Sequence, residues 1–271
     1  MIWKRYILTK LLIVTGFVVV FATPQIPDIL IYKGDTLYVY LYLPNEFYKA
    51  SILKVNLFGD KKTCKTTACG REYQAKWEII ENQLYLTGIY SCCYYEDSIK
   101  ADLTSLFKGK VINGKAKADW ISSKTFAQGG EKLITLDFYM TVFKKEIEFD
   151  FHKGKLLNIN IFDTSKSRRS VYSQDTEKLL NFIYANINWD NLPKQKEPIR
   201  VITRFSANEK GKVDDVEFVQ KSDNEIFNLE AVRVIKSIPD WDVIYNKGQL
   251  YRQYFNMPVI FSEENRKKYK Q

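Results

Sequence analysis

The sequence predicts an α+β chain: a mostly antiparallel β domain with one short helix, then a small domain of helix, two strands, helix and strand. Three observations predict it. Tyr and Phe number 18 and 17, with many Ile and Val besides, and aromatic and β-branched residues favour strands. Glu146–Phe151 alternates strictly, with Ile147, Phe149 and Phe151 on one face and acidic residues on the other. Ala231, Val234, Ile235 and Ile238 recur at the spacing of one helix face. With 271 residues, 45% of them hydrophobic, the chain can bury one large core or two modest ones.

The N-terminus carries Lys4, Arg5 and Lys10 ahead of an apolar run, Leu11–Ala22. Residues 1–22 read as a secretory signal, with the mature chain starting near Thr23. An uncleaved anchor is the second reading. A membrane span needs about 20 apolar residues, and Lys10 and Pro24 bound a shorter run.

Residues 28–165 read as the β domain. Ile29–Leu43 gives two strands around Gly34-Asp35, a turn pair, and Pro44 ends the second. Residues 58–72 form a polar loop. Lys76–Ile80 and Gln83–Leu86 flank Glu81-Asn82 as a hairpin, with Trp77, Ile79, Leu84 and Leu86 marking its inside. Ile99, Leu103 and Leu106 predict one short helix over Asp97–Phe107, capped by Asp97 or Ser98. Residues 109–130 look loop-rich, with a strand around Ala116–Ile121 and Gly129-Gly130 as plain loop. Leu133–Phe143 reads as a strand. His152-Lys153-Gly154 makes a turn, and Leu157, Ile159 and Ile161 lie on the return strand.

Cys64, Cys69, Cys92 and Cys93 lie close together and are even in number, which in an exported chain reads as one or two disulfides. Their pairing stays open. Adjacent Cys92 and Cys93 point to opposite faces in a strand, so they do not share one partner. A zinc site ranks below disulfides, because no C-x-x-C spacing and no nearby His accompany them.

Asp163–Ser170 reads as a linker. Beyond it, Ser173–Trp189 reads as a helix capped by Ser173 or Asp175. Ile199–Ser206 and Val213–Val219 are strands joined by a turn over Asn208–Lys212. Residues 228–238 are helical, and Leu250–Phe261 is the last strand. Pro239 cannot continue the helix, since it lacks an N–H and clashes with the preceding turn. Trp241 follows at a fixed offset and can fold back over a small core. Both are structural candidates, as is Pro258, which favours an edge strand. Residues 263–271 read as a solvated basic tail.

The set of these features resembles the C-terminal domain of TonB-type energy transducers, over residues 172–262. The matching pieces are Val201–Phe205 (VITRF), Gly211–Val219 (GKVDDVEFV), Ser222, Glu230-Ala231, Ile238-Pro239, Trp241, Gly248 and Met257–Phe261 (MPVIF). The resemblance implies a periplasmic binding module of a Gram-negative envelope, with a role in transmembrane transport. Its last strand would pair with an extended segment of an outer-membrane receptor by β-augmentation. The equivalent edge is Leu250, Tyr251, Arg252, Gln253, Tyr254, Phe255 and Asn256. A homodimer through the same domain is the competing use of that edge. The family's Pro-rich arm has no counterpart here.

Net charge is +9, but Lys and Arg are spread along the chain and mixed with 32 acidic residues. Nucleic-acid binders concentrate charge on one face, so no nucleic-acid partner is expected, and the membrane enters only by proximity or through an uncleaved N-terminal segment. A single His, His152, excludes most triad chemistry. Asp214-Asp215 face opposite sides of a strand and make no acid–base pair, and Asp240 and Asp242 read as capping the Trp241 turn. No catalytic residue, cofactor or metal is expected. The sequence therefore predicts an exported protein-binding module. Its alternative is a β-rich ligand-binding or structural envelope protein whose C-terminal domain serves docking or dimerisation.

Overall fold

Alternating apolar positions generate a large curved sheet. The computed structural model describes residues 25–49, 52–136 and 140–270. The signal or anchor reading of residues 1–22, and the start near Thr23, lie outside the described residues.

Asp28–Tyr32 (β1) and Asp35–Val39 (β2) form the first expected hairpin. A small ribbon follows, Tyr48–Lys49 (β3) with Ile52–Leu53 (β4). Gln74–Ile80 (β5) and Gln83–Tyr90 (β6) form the second expected hairpin. Val111–Ile112 (β7) pairs with Lys115–Lys117 (β8). Lys124–Leu136 (β9), Met140–His152 (β10) and Lys155–Asp163 (β11) form long antiparallel pairs. The sheet order is β11-β10-β9-β2-β1-β5-β6-β8-β7, and β11 meets β6 again at Lys155–Gln83. The sheet thus curls into a barrel closed at one end. The ladder is antiparallel except where β1 pairs with β5.

Leu30, Leu37, Trp77, Leu84, Leu86 and Phe149 fill the interior and are fully buried. Each such side chain contributes about 1.5–3 kcal/mol by leaving water. Ile147, Phe149 and Phe151 all point inward, as their alternation predicts. Gly129 lies within β9 opposite Leu37, not in a loop. A Cβ there would meet Leu37 Cδ2 at 2.3 Å, so glycine leaves room for the buried Leu37 side chain, which any larger residue would force to shift.

The α+β expectation is overturned. The chain is 41% strand and 20% helix, with a sheet of nine strands, smaller sheets and only six short helices among the described residues, so it is mostly β. Helical spacing misled in two places. Asp97–Phe107 is not one helix. Tyr94–Asp97 (α1) ends at Ser98, which adopts a left-handed conformation, and Leu103–Leu106 (α2) starts afresh from Asp102, whose carboxylate caps Thr104 N–H. Ser173–Trp189 is split as well. Val171–Gln174 (α3) stops at Asp175, which is extended and caps the separate helix Thr176–Ala185 (α4). Leu133–Phe143 is not one strand either: it spans the end of β9 and the start of β10.

Two disulfides, Cys64–Cys93 and Cys69–Cys92, fasten the 58–72 loop to the turn after β6. Adjacent cysteines take different partners. These bonds suit an oxidising, exported environment, and no helix among the described residues is long and apolar enough to cross a membrane.

The Asp28 carboxylate is buried at the start of β1. It accepts hydrogen bonds from both Arg71 terminal nitrogens, at 3.2 and 2.8 Å. It also accepts from Ala75 N–H at 2.9 Å and Trp77 Nε1 at 3.1 Å. Burial pushes its pKa up, while Arg71 and the N–H donors pull it back.

Two outcomes follow for stability. Asp28→Asn leaves the Arg71 guanidinium without its counter-charge and lowers unfolding free energy by about 3–5 kcal/mol in urea titration. Full reduction lowers it by about 3 kcal/mol, less than two independent bonds would give, because one disulfide loop nests inside the other. An unchanged melting temperature in reductant would contradict the second.

Candidate protein-docking edge of the C-terminal sheet

Ile199–Ala207 (β12) is the central strand of a second sheet, between Val213–Gln220 (β13) and Phe255–Phe261 (β16). Val201, Thr203 and Phe205 point to one buried face. The helix Glu225–Lys236 (α5) covers that face with Phe227, Ala231, Val234 and Ile235. Asn224 caps it by accepting from Ile226 N–H. Asn228, buried on its inner side, accepts from Ser222 N–H at 2.8 Å and donates to the Ser222 carbonyl at 2.9 Å, tying the helix to the end of β13.

Pro239 ends the helical stretch and Trp241 fills the open end of the sheet. Its ring meets Phe205 at 4.8 Å and Phe255 at 5.1 Å, both edge-on. Trp241 N–H donates to the Gly211 carbonyl at 2.8 Å. A Cβ on Gly211 would meet Asp240 Oδ1 at 2.3 Å and Arg168 Nη2 at 2.4 Å, so the turn before β13 must be glycine. Asp240 and Asp242 do more than cap and solvate this turn. Arg168 bonds both oxygens of Asp240, at 2.7 and 2.6 Å. Buried Asp242 accepts from Ser170 N–H at 2.6 Å. The residues read as a linker, 163–170, are thus clamped to the end of α5.

A hairpin, Tyr245–Asn246 (β14) with Gln249–Leu250 (β15), reaches back to the barrel. Lys247 N–H donates to Glu146 Oε2 at 2.5 Å, and its ammonium lies 3.7 Å from the Phe126 ring centre. Ile244 completes a small cluster with Ile134 and Val142 of the barrel.

The last strand begins at Phe255 rather than Leu250. Of the seven residues expected on the docking edge, Phe255 and Asn256 lie in β16, Leu250 lies in β15, and Tyr251, Arg252, Gln253 and Tyr254 lie outside the strands. This connecting stretch crosses toward β13. Arg252 bonds Asp214 at 2.7 Å and Ser206 Oγ at 3.2 Å. Tyr254 donates to Asp215 at 2.6 Å and stacks under Arg204. Polar anchoring to β13 replaces ladder pairing there.

Pro258 sits opposite Ile202 in the ladder. Lacking an N–H, it cannot belong to a hydrogen-bonded pair, so Asn256, Pro258 and Ile260 turn their backbone groups away from β12. Ile260 confirms the parity: its carbonyl accepts from Asn265 Nδ2 at 2.9 Å, outside the sheet. Its N–H lies toward the Tyr184 hydroxyl, whose pKa burial raises and this N–H lowers. That leaves Asn256 N–H and the Asn256 and Pro258 carbonyls as outward groups of the edge. Asn265 belongs to a helix, Glu263–Tyr269 (α6), where a solvated tail was expected. Arg266 docks it, donating to the carbonyls of Trp189, Leu192 and Pro193. Neither Asn265 nor Tyr184 carries a signal in the sequence that marks it as an edge plug.

His152 is exposed at the end of β10, and no group of three or more His, Cys, Asp or Glu is placed to hold a metal among the described residues. No protein-family model, curated protein or solved structure matches the chain.

The Arg252 hydrogen bond holds the Asp214 carboxyl below its ordinary value of 3.8. A depressed carboxylate contributes stability above its unfolded pKa and loses it as pH falls through its folded one. Arg252→Ala should return the Asp214 titration, followed by NMR, toward 3.8. It should also abolish a small part of the stability lost below about pH 4, well under 1 kcal/mol because the pair is exposed.

Proposed function

We propose that the chain is a protein-binding module of the periplasm, which captures an extended peptide along the outer edge of β16. The observation that carries this reading is the outward row on Asn256 and Pro258. An added strand finds a donor and two acceptors there, without breaking any bond of the three-stranded sheet. The sequence likeness to TonB-type transducers supports an N-terminal segment of an outer-membrane receptor as the peptide. In this reading the protein binds and does not catalyse, and any part in transport follows from docking.

The captured strand is short. Asn265 already takes the Ile260 carbonyl and Tyr184 lies toward its N–H, so pairing runs beside Phe255–Pro258. Affinity must therefore come largely from side chains beside the edge. One feature favours the alternative of a ligand-binding barrel. A cleft of about 210 Å³ is lined by Phe107, Trp120, Lys108, Lys110, Asp119 and Glu46. Phe107 and Trp120 stack at 5.5 Å, giving it an aromatic wall with a charged rim.

The discriminating variant is Asn256→Pro. Its N–H faces outward, so the substitution removes the edge donor and leaves the bonds to β12 in place. Peptide capture, read by in-cell photocrosslinking from position 254 and mass spectrometry, should be lost while the melting temperature holds. Undiminished capture of a receptor segment by this variant would sink the reading.

A further inference from the structure

Among the described residues the barrel closes at Lys155–Gln83 and nowhere else along β11. Beyond that point β11 is an edge. Its parity can be fixed. Thr164 N–H donates to the Lys144 carbonyl at 3.1 Å, and the next pair in register is Lys145–Asp163. The hydrogen-bonded pairs toward β10 therefore fall on Phe162 and Asn160, because such pairs alternate along an antiparallel ladder. Ile159, Ile161 and Asp163 turn their N–H and C=O groups outward. No bulge interrupts this stretch; the register shift lies further along, at Asp150/Phe151.

The side chains show the same vacancy on the strand's flank. Ile161 is 67% exposed although it stands opposite buried Ile147, and Leu157 is 61% exposed. Natural edges are usually guarded by Lys, Pro or an inward charge. Between Leu156 and Phe162 there is none: the run is LLNINIF.

We infer that this edge pairs with the same edge of a second copy, forming a two-fold antiparallel dimer centred on Asn160. Outward groups must meet outward groups, so Ile159 faces the other copy's Ile161, and the reverse. Asn160 then faces its own copy across the axis, and Asn158 faces Phe162. The strand is nearly its own complement: Ile meets Ile on the inner face, and on the outer face Asn160 meets Asn160 at the axis with an Asn158–Phe162 pair on either side. No charged residue in 156–162 meets a like charge, despite a net charge of +9 per chain. Unlike the C-terminal edge, this surface carries no proline and no plugging side chain in its outward row.

The register is directly testable. Residues facing across the axis in a non-hydrogen-bonded pair have Cα atoms about 4.5 Å apart, within disulfide reach. Full-length chain carrying Asn160→Cys should form a disulfide-linked dimer on mild oxidation, seen at twice the mass on a non-reducing gel. Asn158→Cys should not, because the two copies of that position lie four residues out of register. Sedimentation should show a concentration-dependent dimer for the unaltered chain. Ile161→Lys, at an exposed position, should give a monomer with an unchanged melting temperature. A monomeric unaltered chain overturns the inference and leaves the seam to a strand from another protein. Equal cross-linking through positions 158 and 160 overturns the register. A dimer that survives Ile161→Lys places the contact elsewhere.

Discussion

The barrel depends on a carboxylate where β1 and β5 run parallel. Antiparallel neighbours can be joined by a tight turn, but a parallel pair needs a long connection. Between β1 and β5 that connection runs from residue 33 to 73 and includes β2, the small ribbon and the disulfide loop. Asp28 spans the join. From β1 it accepts from Ala75 N–H and Trp77 Nε1 of β5, and through Arg71 it fixes the chain just before β5. Arg71 in turn donates to the Leu41 carbonyl at 2.9 Å, just past β2. A buried ion is expensive unless every lone pair is used. Here the same bonds that satisfy the charge set the register of the two halves, so the expense is recovered as specificity of pairing.

With the join fixed, the remaining freedom lies at the far side of the ring, where β11 meets β6 only once. The C-terminal sheet and its β14–β15 hairpin attach on that side of the barrel. The β14–β15 hairpin lies against Glu146 and Phe126, and Phe162 is close to Gly248. The clamp of Arg168 and Ser170 on Asp240 and Asp242 holds the connecting segment against the end of α5. The segment Asp240-Trp241-Asp242 thus closes the small core inward, through Trp241, and binds the connection outward, through the two carboxylates. An abrupt helix stop is needed for that. A continued helix would carry these three side chains around its axis, and they could not meet Phe205, Arg168 and Ser170 together.

Much of this was legible. The hairpins β1–β2 and β5–β6, the inward row of β10 and the apolar stripe of α5 follow from period alone. What escaped has specific causes. Ile99, Leu103 and Leu106 have helical spacing, but spacing does not register a left-handed Ser98 or a fresh cap at Asp102. Gly129 and Gly130 looked like loop because glycine punctuates turns far more often than it makes room inside a strand for a neighbour's side chain. The stretch Tyr251–Tyr254 alternates like a strand. Its polar members instead find Asp214 and Asp215 on a distant strand, a choice that depends on tertiary proximity. Arg266 sits in a basic run that reads as solvated. Three carbonyls exposed by the 189–193 turn make it a buried anchor.

The edges of β16 and β11 show how a β protein can separate its contacts. On β16, Pro258 removes the central donor, Asn265 takes the Ile260 carbonyl and Tyr184 lies toward its N–H. Such an edge cannot extend its own sheet indefinitely. It accepts only a short strand whose side chains suit the neighbouring surface, so selectivity rests on side-chain fit more than on the backbone. On β11 the outward row of Ile159 and Ile161 is continuous and carries no charge, a hazard unless something consumes it. A two-fold pairing consumes the stretch around Asn160, because each copy buries the other's β11 row and no third strand can add there. Closed symmetry is what turns an aggregation-prone edge into a defined contact, and the near-palindromic order of Ile and Asn about Asn160 allows it to close.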